Sequence, residues 1–316
     1  MQQNACAVIL AGGEGKRMKS DKPKVLSEVL FKPMLGWVID TVRSAGIEHI
    51  CVVTGSKREY VEEYLRSLSV PTETVFQSER LGTGHAVMTA LPFLKQHTDS
   101  KTVILNGDAP FVSADTLQSV LSDQYDNACT VVSAEVSDPF GYGRILRDSQ
   151  SDSLSGIVEE KEATNEIRKI KEVNSGVYCF KTDALIEAVS ALQKSPLTGE
   201  YYLTDTITIL KEKGKTVGVC QAESADSVLG ANDCFQLQEL NEIARQKVMK
   251  AMMECGVIIP CPDGVIIGAD VSIGKGTVIL PSSVIRGNTT IGAGCEIGPA
   301  VLIENADIPD GTVCRR

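Results

Sequence analysis

Residues 265–304 read VIIGADVSIGKGTVILPSSVIRGNTTIGAGCEIGPAVLIE. Isoleucine occupies every sixth position of this stretch without a miss, and glycine follows four of the seven; the series is Ile267, Ile273, Ile279, Ile285, Ile291, Ile297 and Ile303. A period of six fits neither an α-helix nor an ordinary strand pair. It is typical of a parallel β-helix, in which each hexapeptide supplies one flat side and its isoleucine points into the stack. The sequence therefore predicts a parallel β-helix in this part of the chain.

The first 135 residues have a different pattern, in which short apolar runs rich in β-branched residues alternate with amphipathic stretches. In the helix predicted over 34–45, for example, the apolar side chains fall on one face and Gly46 ends the pattern. The alternation predicts repeated βαβ units and a mostly parallel sheet. The predicted strands are 5–11, 47–55, 74–77, 102–108 and 128–136, and the predicted helices are 34–45, 58–68, 84–94 and 114–121.

Between residues 136 and 230 the pattern changes to hairpin-like segments interrupted by helices near 183–192 and 203–213. We expect this region to be an insertion that covers one side of the sheet. A long helix is predicted over 232–254. The chain is thus expected to divide into an α/β domain over residues 1–231, a linking helix over 232–255 and a short β-helix over 256–316.

The composition is that of a folded globular protein. Hydrophobic residues make up 43% and charged residues 23% of the 316 residues, which argues against disorder, collagen and coiled coil. The formal net charge is −10, so the overall field repels nucleic acid and anionic membranes. Neither a secretory leader nor an apolar run of membrane-spanning length is recognisable, and we expect a cytoplasmic protein with no membrane insertion and no nucleic-acid partner.

The ten cysteines are scattered without a CxxC spacing, and several stand in strand-like runs such as HICVV, ACTVV and VYCF. We interpret them as reduced core residues. The three histidines, His49, His85 and His97, are not at metal-ligand spacing from a cysteine or from one another. We therefore expect no structural zinc site.

A glycine-rich and basic segment, LAGGEGKRMKSDKPKVL over residues 10–26, directly follows the first predicted strand. Glycines there allow a ligand to approach the backbone, and successive amide groups can form an anion-binding nest. Five cations lie within nine residues of an otherwise acidic protein: Lys16, Arg17, Lys19, Lys22 and Lys24. The spacing matches neither a Walker A loop nor a dinucleotide fingerprint. We expect a phosphate-binding loop of another geometry, with a solvated turn carrying surface lysines as the alternative.

Eight segments occur in an order that resembles the sugar-phosphate nucleotidyltransferases. They are LAGGEGKRM with KPK (10–24), Gln77 with LGTGHA (81–86), NGDAP (106–110), GYGR (141–144), IVE (157–159), NSG (174–176), GEYYLTD (199–205) and GAN (230–232). Within that family the pattern is most similar to the uridyltransferase half of the bacterial bifunctional enzymes that also acetylate glucosamine 1-phosphate. The implied fold class is α/β, a Rossmann-like nucleotidyltransferase domain with a mixed, mostly parallel sheet, plus a short left-handed parallel β-helix with three hexapeptide sides per turn.

The resemblance implies Mg²⁺-dependent transfer of a uridylyl group from UTP to N-acetylglucosamine 1-phosphate, giving UDP-N-acetylglucosamine and pyrophosphate. Because the attacking phosphate is already anionic, no side-chain nucleophile or base is required. Arg17 is expected to act on the leaving β,γ-phosphates and Lys24 on the α-phosphate. Lys16, which stands where the family usually has Thr, is expected to be a steering charge, as are Lys19 and Lys22. The implied nucleotide-binding residues are Leu10, Ala11, Gly12, Gly13, Gln77, Gly82 and Thr83, the last three reading uracil.

Asp108 closes the apolar run TVILNGD, so its carboxylate is expected at the carboxyl end of a sheet strand, where open α/β folds bind ligands. A hard oxygen ligand there suits Mg²⁺, and the resemblance implies Asn232 as the second protein oxygen on the metal. Each residue has a structural alternative: Asp108 could cap the helix that follows Pro110, and Asn232 could cap the long helix. The sugar-binding residues implied by the family are Asp108, Gly143, Glu159, Asn174 and Asn232.

Two features near these motifs carry weaker expectations. His85 follows the uracil turn at the start of an apolar helix, and we expect a structural role for it. The segment GEYYLTD is expected to close over the sugar, with Asp205 as a helix cap.

The β-helix carries an expectation about assembly. Fewer than three turns leave an apolar stack with an open end, so we expect a homo-oligomer, by resemblance a trimer. The family's acetyltransferase residues lie on later β-helix turns, and that second activity is expected to be absent.

Three other hypotheses compete with this enzyme. One is a non-catalytic nucleotide-binding regulatory subunit on the same fold, and another is a related nucleotidyltransferase that uses a different sugar 1-phosphate. The third is a hexapeptide acyltransferase, which is disfavoured because no histidine follows His97 to act as its base.

Overall fold

A computed structural model describes residues 4–13, 15–122 and 126–315, without the side chain of Lys16. The chain forms two compact units. The first comprises the residues up to Leu26 together with Leu35–Gly230, and the second comprises Ser27–Met34 together with the residues from Ala231 onward. The short stretch Ser27–Met34 therefore belongs with the second unit. The predicted domain over residues 1–231 was continuous and included this stretch.

The first unit is built on a mixed sheet of nine strands. Its strands in chain order are β1 (Ala5–Ala11), β4 (His49–Thr54), β5 (Glu73–Phe76), β6 (Lys101–Asn106), β7 (Cys129–Glu135), β8 (Arg144–Arg147), β9 (Leu154–Val158), β10 (Glu172–Lys181) and β11 (Val217–Gln221); β2 (Glu28–Val29) and β3 (Lys32–Pro33) form a separate hairpin in the second unit. The spatial order of the main path is β11-β7-β10-β6-β1-β4-β5. Adjacent strands along this path are parallel, except that β10 runs antiparallel to both of its neighbours, β6 and β7.

The central strands are apolar on both faces because helices cover both sides of the sheet. In β1, Cys6 and Val8 face one core cluster while Ala7 and Ile9 face the other. Continuous burial of this kind is what a parallel sheet inside an α/β layer structure requires. The predicted fold class is therefore confirmed for this unit.

The prediction that residues 136–230 cover one side of the sheet was wrong for part of that region. β10 and β11 enter the sheet itself, and β10 separates β6 from β7. Only β8 and β9 form a hairpin off the main path, attached through the pairing of Val173 with Arg144. Local alternation of apolar residues cannot distinguish a central antiparallel strand from a covering hairpin, because strand partners are set by contacts distant in the chain.

The helices are α1 (Met34–Ser44), α2 (Arg58–Ser67), α3 (Thr83–Thr89), α4 (Leu91–Leu94), α5 (Ala114–Leu121), α6 (Thr182–Ser190), α7 (Asp205–Glu212) and α8 (Cys234–Glu254). The single helix predicted over 84–94 is divided into α3 and α4. Pro92 lies in the first turn of α4, where its missing N–H costs nothing, whereas inside a continuous helix it would remove a hydrogen bond. No helix in the described part of the chain combines the length and apolarity needed to cross a bilayer.

The second unit contains α8 and a left-handed parallel β-helix. Its nine short strands, β12 (Ile266–Ile267), β13 (Ser272–Ile273), β14 (Val278–Ile279), β15 (Val284–Arg286), β16 (Thr290–Ile291), β17 (Glu296–Ile297), β18 (Leu302–Glu304), β19 (Asp307–Ile308) and β20 (Val313–Cys314), form three parallel three-stranded sheets. All seven isoleucines of the series are buried in one core. Ile267 pairs with Ile285, which pairs with Ile303, so one turn takes three hexapeptides as expected. The last turn is one residue shorter, since Ile291 pairs with Ile308.

The cysteines are buried, partly buried (Cys220, Cys261 and Cys314) or exposed. Five are buried, at Cys6, Cys51, Cys129, Cys179 and Cys295, and all ten are free. Cys234 and Cys255 are exposed, so the interpretation of the cysteines as core residues was wrong for those two. They lie at the two ends of α8, where the strand-like signal that suggested burial elsewhere is absent from the sequence.

Candidate active site

A cavity of about 320 Å³ opens at the carboxyl ends of β1 and β6. Eight of the residues singled out from the sequence line it: Leu10, Gly12, Gly13, Lys24, Gln77, Gly82, Thr83 and Asp108. They come from four separate stretches of the chain, and the parallel sheet brings these together because its strands end at one edge. Ala11 is buried within β1 and is not among the lining residues.

Two charged side chains of this cavity, Lys24 and Asp108, are paired with each other. Lys24 lies on a short 3-10 helix, Lys24–Leu26, and its Nζ forms an ion pair with the carboxylate of Asp108. Arg17 lies on the 3-10 helix Lys16–Met18, is exposed, and is not among the described residues that line the cavity. The geometry thus brings together Lys24 and Asp108 but not Arg17. The side chain of Lys16 lies outside the described part of the structure.

The predicted uracil turn is tied to the segment GEYYLTD. Gly84 donates its N–H to the carbonyl of Tyr201 at 2.8 Å, and the N–H of Tyr201 donates to the carbonyl of Leu81 at 2.6 Å. The hydroxyl of Thr83 accepts from the N–H of Leu203 at 3.1 Å. Gly82 has φ +100°, and a Cβ there would overlap the carbonyl of Tyr201. Glycine is therefore required for the two segments to approach this closely.

Gln77 follows β5 and is almost fully buried. Its Nε2 lies 3.2 Å from the carbonyl oxygen of Gly82 and 3.1 Å from Nδ1 of His85. The imidazole of His85 in turn stacks against the ring of Tyr201, with centroids 6.2 Å apart. His85 therefore contacts a predicted base-reading side chain directly.

A second cavity, of about 180 Å³, adjoins the first and shares Leu10, Thr83 and Asn106 with it. Three of the predicted sugar-binding residues, Gly143, Glu159 and Asn174, line it together with Tyr142, Tyr178, Leu203 and Val228. Burial raises the pKa of Glu159, and a hydrogen bond donated by Thr204 to its Oε1 at 3.0 Å partly offsets this rise. Leu203, from the segment GEYYLTD, is also among the lining residues.

The amide of Asn174 is held at both ends. Its Oδ1 accepts from the N–H of Gly176 at 3.0 Å, and its Nδ2 donates to the hydroxyl of Tyr178 at 2.6 Å. The pairing of β10 with β7 is irregular between Asn174 and Tyr178. Gly176 has φ +78° at this irregularity, and a side chain there would collide with the amide of Asn106. Asn174 and Tyr178, at the two ends of this irregularity, both line the second cavity.

A buried arginine supports the wall of the second cavity. Arg144, 1% exposed, donates from Nη2 to Oε2 of Glu160 at 2.7 Å and from Nη1 to the carbonyl of Tyr142. Glu160 Oε2 also accepts from the N–H of Gly141 at 3.3 Å. The neighbouring residues Gly143 and Glu159 line the cavity, so the Arg144–Glu160 pair fixes the two backbone segments that carry them.

The helix-capping alternatives considered for Asp108 and Asn232 are not what the structure shows. The helix after Pro110, α5, is capped by Ser113, whose hydroxyl accepts from the N–H of Thr116 at 3.1 Å, so Asp108 is not its cap. The long helix α8 is capped by Asp233, which accepts from the N–H of Gln236 at 2.9 Å.

Asn232 therefore does not occupy the cap position of α8; it belongs to the second unit, where its N–H donates to Oε1 of Gln236 at 2.7 Å. The expectation of Asp205 as a cap was also wrong, because Asp205 is the first residue inside α7 and Thr204 occupies the cap position. Ser, Asp, Asn and Thr all favour the residues around a helix start, and a sequence does not reveal which of two adjacent candidates takes the cap.

Arg80 is a cavity residue that the sequence analysis missed. It lines the first cavity and donates from Nη2 to the hydroxyl of Ser56 at 2.5 Å. The available signal was a cation placed directly before LGTGHA in an acidic protein. Tyr142 and Tyr178 were likewise not singled out, although both fall within or beside the quoted motifs.

A larger depression, of about 530 Å³, is lined by residues that include Asn4, Ser100, Lys101 and Lys181. It lies where β1 and β6 begin, at the edge of the sheet away from the site just described. Open α/β sheets bind ligands at the carboxyl ends of their strands, and we do not assign this depression a ligand.

Comparison with known proteins places the chain among the nucleotidyltransferases. The family model described as "Nucleotidyl transferase" matches residues 6–242, and the model "Bacterial transferase hexapeptide (six repeats)" matches residues 270–305. The chain is 44% identical over 306 residues to the bifunctional protein GlmU of Acetivibrio thermocellus, covering 96% of this chain and 65% of that protein. It is 43% identical over 311 residues to the GlmU protein of a Geobacillus species, covering 98% and 67%.

The chain thus spans about two thirds of the length of these relatives. Among solved structures, it resembles a Bacillus anthracis protein provisionally named a glucose-1-phosphate thymidylyltransferase, with a TM-score of 0.63 at 20% identity, covering 76% of this chain and 95% of that one. At that identity the likeness shows the fold.

Proposed function

Because this chain belongs to the nucleotidyl transferase family, we propose that it transfers a uridylyl group from UTP to N-acetylglucosamine 1-phosphate. The products would be UDP-N-acetylglucosamine and pyrophosphate. The observation that carries the proposal is the pair of adjoining cavities: six of the seven residues expected at the nucleotide line the first, and three of the five expected at the sugar line the second. The similarity to bifunctional GlmU proteins supports the choice of substrates.

The base would be read in the first cavity by Gln77 and the turn Gly82-Thr83, with the glycine loop from Leu10 against the nucleotide. The sugar would lie in the second cavity against Gly143, Glu159 and Asn174. Buried amide and carboxylate groups give selectivity, since a ligand that fails to satisfy them leaves them unpaired. Arg80 adds a cation to the wall of the nucleotide cavity.

The chemical step would be an in-line displacement. An oxygen of the sugar phosphate forms a bond to the α-phosphorus of UTP while the bond between that phosphorus and the bridging oxygen breaks, and pyrophosphate leaves with the electron pair. The work of the protein is then positioning and charge neutralisation. Lys24, at the cavity wall, would neutralise the α-phosphate. Arg17, exposed on its 3-10 helix, is proposed for the leaving phosphates on the resemblance alone.

We propose that the first cavity binds a divalent cation held mainly by ligand phosphate and water, because the described residues include no cluster of three or more His, Cys, Asp or Glu side chains that could hold a metal. The carboxylate of Asp108 lines this cavity, and its cationic partner Lys24 shows that the carboxylate attracts positive charge there. Carboxylate oxygen is the ligand type that Mg²⁺ prefers, alongside water and phosphate. We propose Asp108 as a protein ligand and, from the resemblance alone, Asn232 as a second. When bound, the ion would offset negative charge on the triphosphate.

We also propose a homotrimeric assembly, supported by the hexapeptide match and by the resemblance. The ten free cysteines support a reducing, cytoplasmic location.

Pyrophosphate release tests the proposed reaction. A panel of UTP, CTP, ATP and GTP against N-acetylglucosamine, glucose and galactose 1-phosphates should show activity with UTP and the first sugar at least about 100-fold above the other nucleotides in kcat/KM. Absence of pyrophosphate with every pair would favour the regulatory-subunit hypothesis, and preference for another sugar would change the proposed acceptor.

A further inference from the structure

We infer that His85 is a positioning residue for base selection: it holds the amide of Gln77 with its oxygen toward the nucleotide cavity, so that the site favours a base edge carrying a ring N–H donor. The inference rests on the proposed function, because it assigns a pyrimidine nucleotide to this cavity. It replaces the expectation that His85 is merely structural.

The orientation of the Gln77 amide follows from its partners. One terminal atom of the amide lies 3.2 Å from the carbonyl oxygen of Gly82. A carbonyl oxygen can only accept, so the facing atom is the nitrogen, Nε2. The same nitrogen lies 3.1 Å from Nδ1 of His85. An amide nitrogen has two hydrogens, and these two neighbours engage both of them.

The protonation of His85 follows in turn. To accept from Nε2 of Gln77, Nδ1 of His85 must carry a lone pair, which makes the imidazole neutral with its proton on Nε2. The ring is held on one face by Tyr201, whose backbone is bonded to Leu81 and Gly84 on either side of the uracil turn. His85 therefore presents a fixed acceptor to Gln77.

With both amide hydrogens engaged, Gln77 offers the ligand only its oxygen. Oε1 lies on the side of Gly12, because a Cβ built on Gly12 would come within 3.0 Å of it, and both residues line the nucleotide cavity. Uracil carries an N–H at ring position 3, whereas cytosine has a bare acceptor nitrogen there. An acceptor held in place thus attracts uracil and repels cytosine. If cytosine bound, the amide oxygen and the ring nitrogen would face each other without a hydrogen bond, which disfavours cytosine.

The Gln77 amide is held in this orientation by two hydrogen bonds, one to the carbonyl of Gly82 and one to His85. If His85 lost its acceptor, only the Gly82 carbonyl would oppose rotation of the amide, and a hydrogen of Nε2 would be available to bond the ring nitrogen of cytosine. Discrimination between the two bases should then weaken without loss of the cavity itself. This separates His85 from a residue that only packs beneath the turn.

The test compares dissociation constants of UTP and CTP in five variants and the wild-type protein. His85→Leu should reduce the preference for UTP over CTP about 10-fold, the worth of one ordinary hydrogen bond. His85→Asn, which retains an acceptor oxygen on the same branch of the side chain, should keep the preference within about 3-fold of wild type. In a Gln77→Ala background, adding His85→Leu should change the preference no further. His97→Leu is the matched control, because His97 packs against Phe93 and His49 and is not among the cavity residues described.

An unchanged preference in folded His85→Leu, or an equal loss in the Gln77→Ala background, would overturn the inference. A second measurement does not depend on folding of a variant: ¹⁵N spectra of the wild-type imidazoles should show His85 as the neutral form protonated on Nε2, and a proton on Nδ1 would contradict it. If the wild-type protein binds UTP no better than the other nucleotides, the proposed function fails, and the tautomer of His85 still decides whether it holds Gln77 as described.

Discussion

Lys24 and Asp108 form an ion pair in the nucleotide cavity, the lysine from the basic loop and the aspartate from the end of β6. Their side chains are 12% and 23% exposed, so the pair is mostly shielded from solvent. Each group is also the one we assign to an oppositely charged ligand, the lysine to a phosphate and the aspartate to a divalent cation. The two charges neutralise each other, and a bound metal nucleotide would give each a new partner.

The first prediction concerns Asp108. Asp108→Asn should lower kcat by at least about 100-fold and raise the Mg²⁺ concentration needed for half-maximal activity, because it removes the negative charge that attracts the ion. Loss of a residue that only hydrogen-bonds to a metal ligand costs about 10- to 100-fold, so loss of a ligand itself should cost at least as much. Titration of initial rate with Mg²⁺ measures both. Asp115→Asn, an exposed aspartate in the first turn of α5, is the control and should behave as wild type. A normal Mg²⁺ dependence in Asp108→Asn would remove Asp108 from the metal site.

The second prediction separates metal binding from helix capping at the start of α8. Asp233→Ala removes the observed cap and should lower the free energy of unfolding by about 1 kcal/mol with kcat nearly unchanged. Asn232→Ala should do the reverse, lowering kcat and raising the Mg²⁺ concentration needed for half-maximal activity with little change in stability. Chemical denaturation and rate measurements on both variants check this. An Asn232→Ala protein with wild-type kinetics would contradict its assignment to the metal.

The third prediction concerns Glu160 and pH. Burial would raise the pKa of Glu160, but hydrogen bonds from Arg144 and from the N–H of Gly141 outweigh it and hold the pKa below its ordinary value. A carboxylate with a lowered folded-state pKa stabilises the protein above its unfolded pKa of about 4.3, and this contribution is lost as the pH falls through the folded value.

Glu160→Gln should therefore be less stable than wild type at pH 7 and converge with it toward about pH 3, which melting temperatures across that range would show. Glu166→Gln, in an exposed pair with Lys169, is the matched control and should run parallel to wild type at all pH values. A constant difference between Glu160→Gln and wild type would contradict the role of the ionised carboxylate.

The fourth prediction concerns the β-helix core. Ile291 is 1% exposed, and Ile291→Ala should lower the free energy of unfolding by about 2–5 kcal/mol through lost burial and the cavity left behind. The adjacent Thr290 faces solvent, and Thr290→Ala should change stability by less than about 0.5 kcal/mol. Urea unfolding of both variants gives the comparison. Equal effects at the two positions would mean that the isoleucine series does not carry the stability of the stack.

Several elements were predictable because their signals are local. The strand Ala5–Ala11 and the helix Ala114–Leu121 have the predicted bounds, since apolar periodicity and neighbouring polar residues lie within one short window. The glycine loop was recognisable because glycine and lysine at that spacing serve backbone approach and charge. The same local signals could not identify the residue that caps α8, because Asn232 and Asp233 are adjacent and both are suitable caps.

The sequence by itself determined the two periodicities of this protein, the βαβ alternation and the six-residue isoleucine series, and the inventory of cations and amides that a phosphate and a base would need. Tertiary structure alone decided which of these groups meet. The antiparallel position of β10, the pairing of Lys24 with Asp108, the entry of Arg80 into the cavity and the contact of His85 with Gln77 all join groups through folding of the chain. The physical reason is that periodicity reflects burial of each residue in its own element, whereas hydrogen bonds and ion pairs depend on distances of a few ångströms that the packing of whole elements sets.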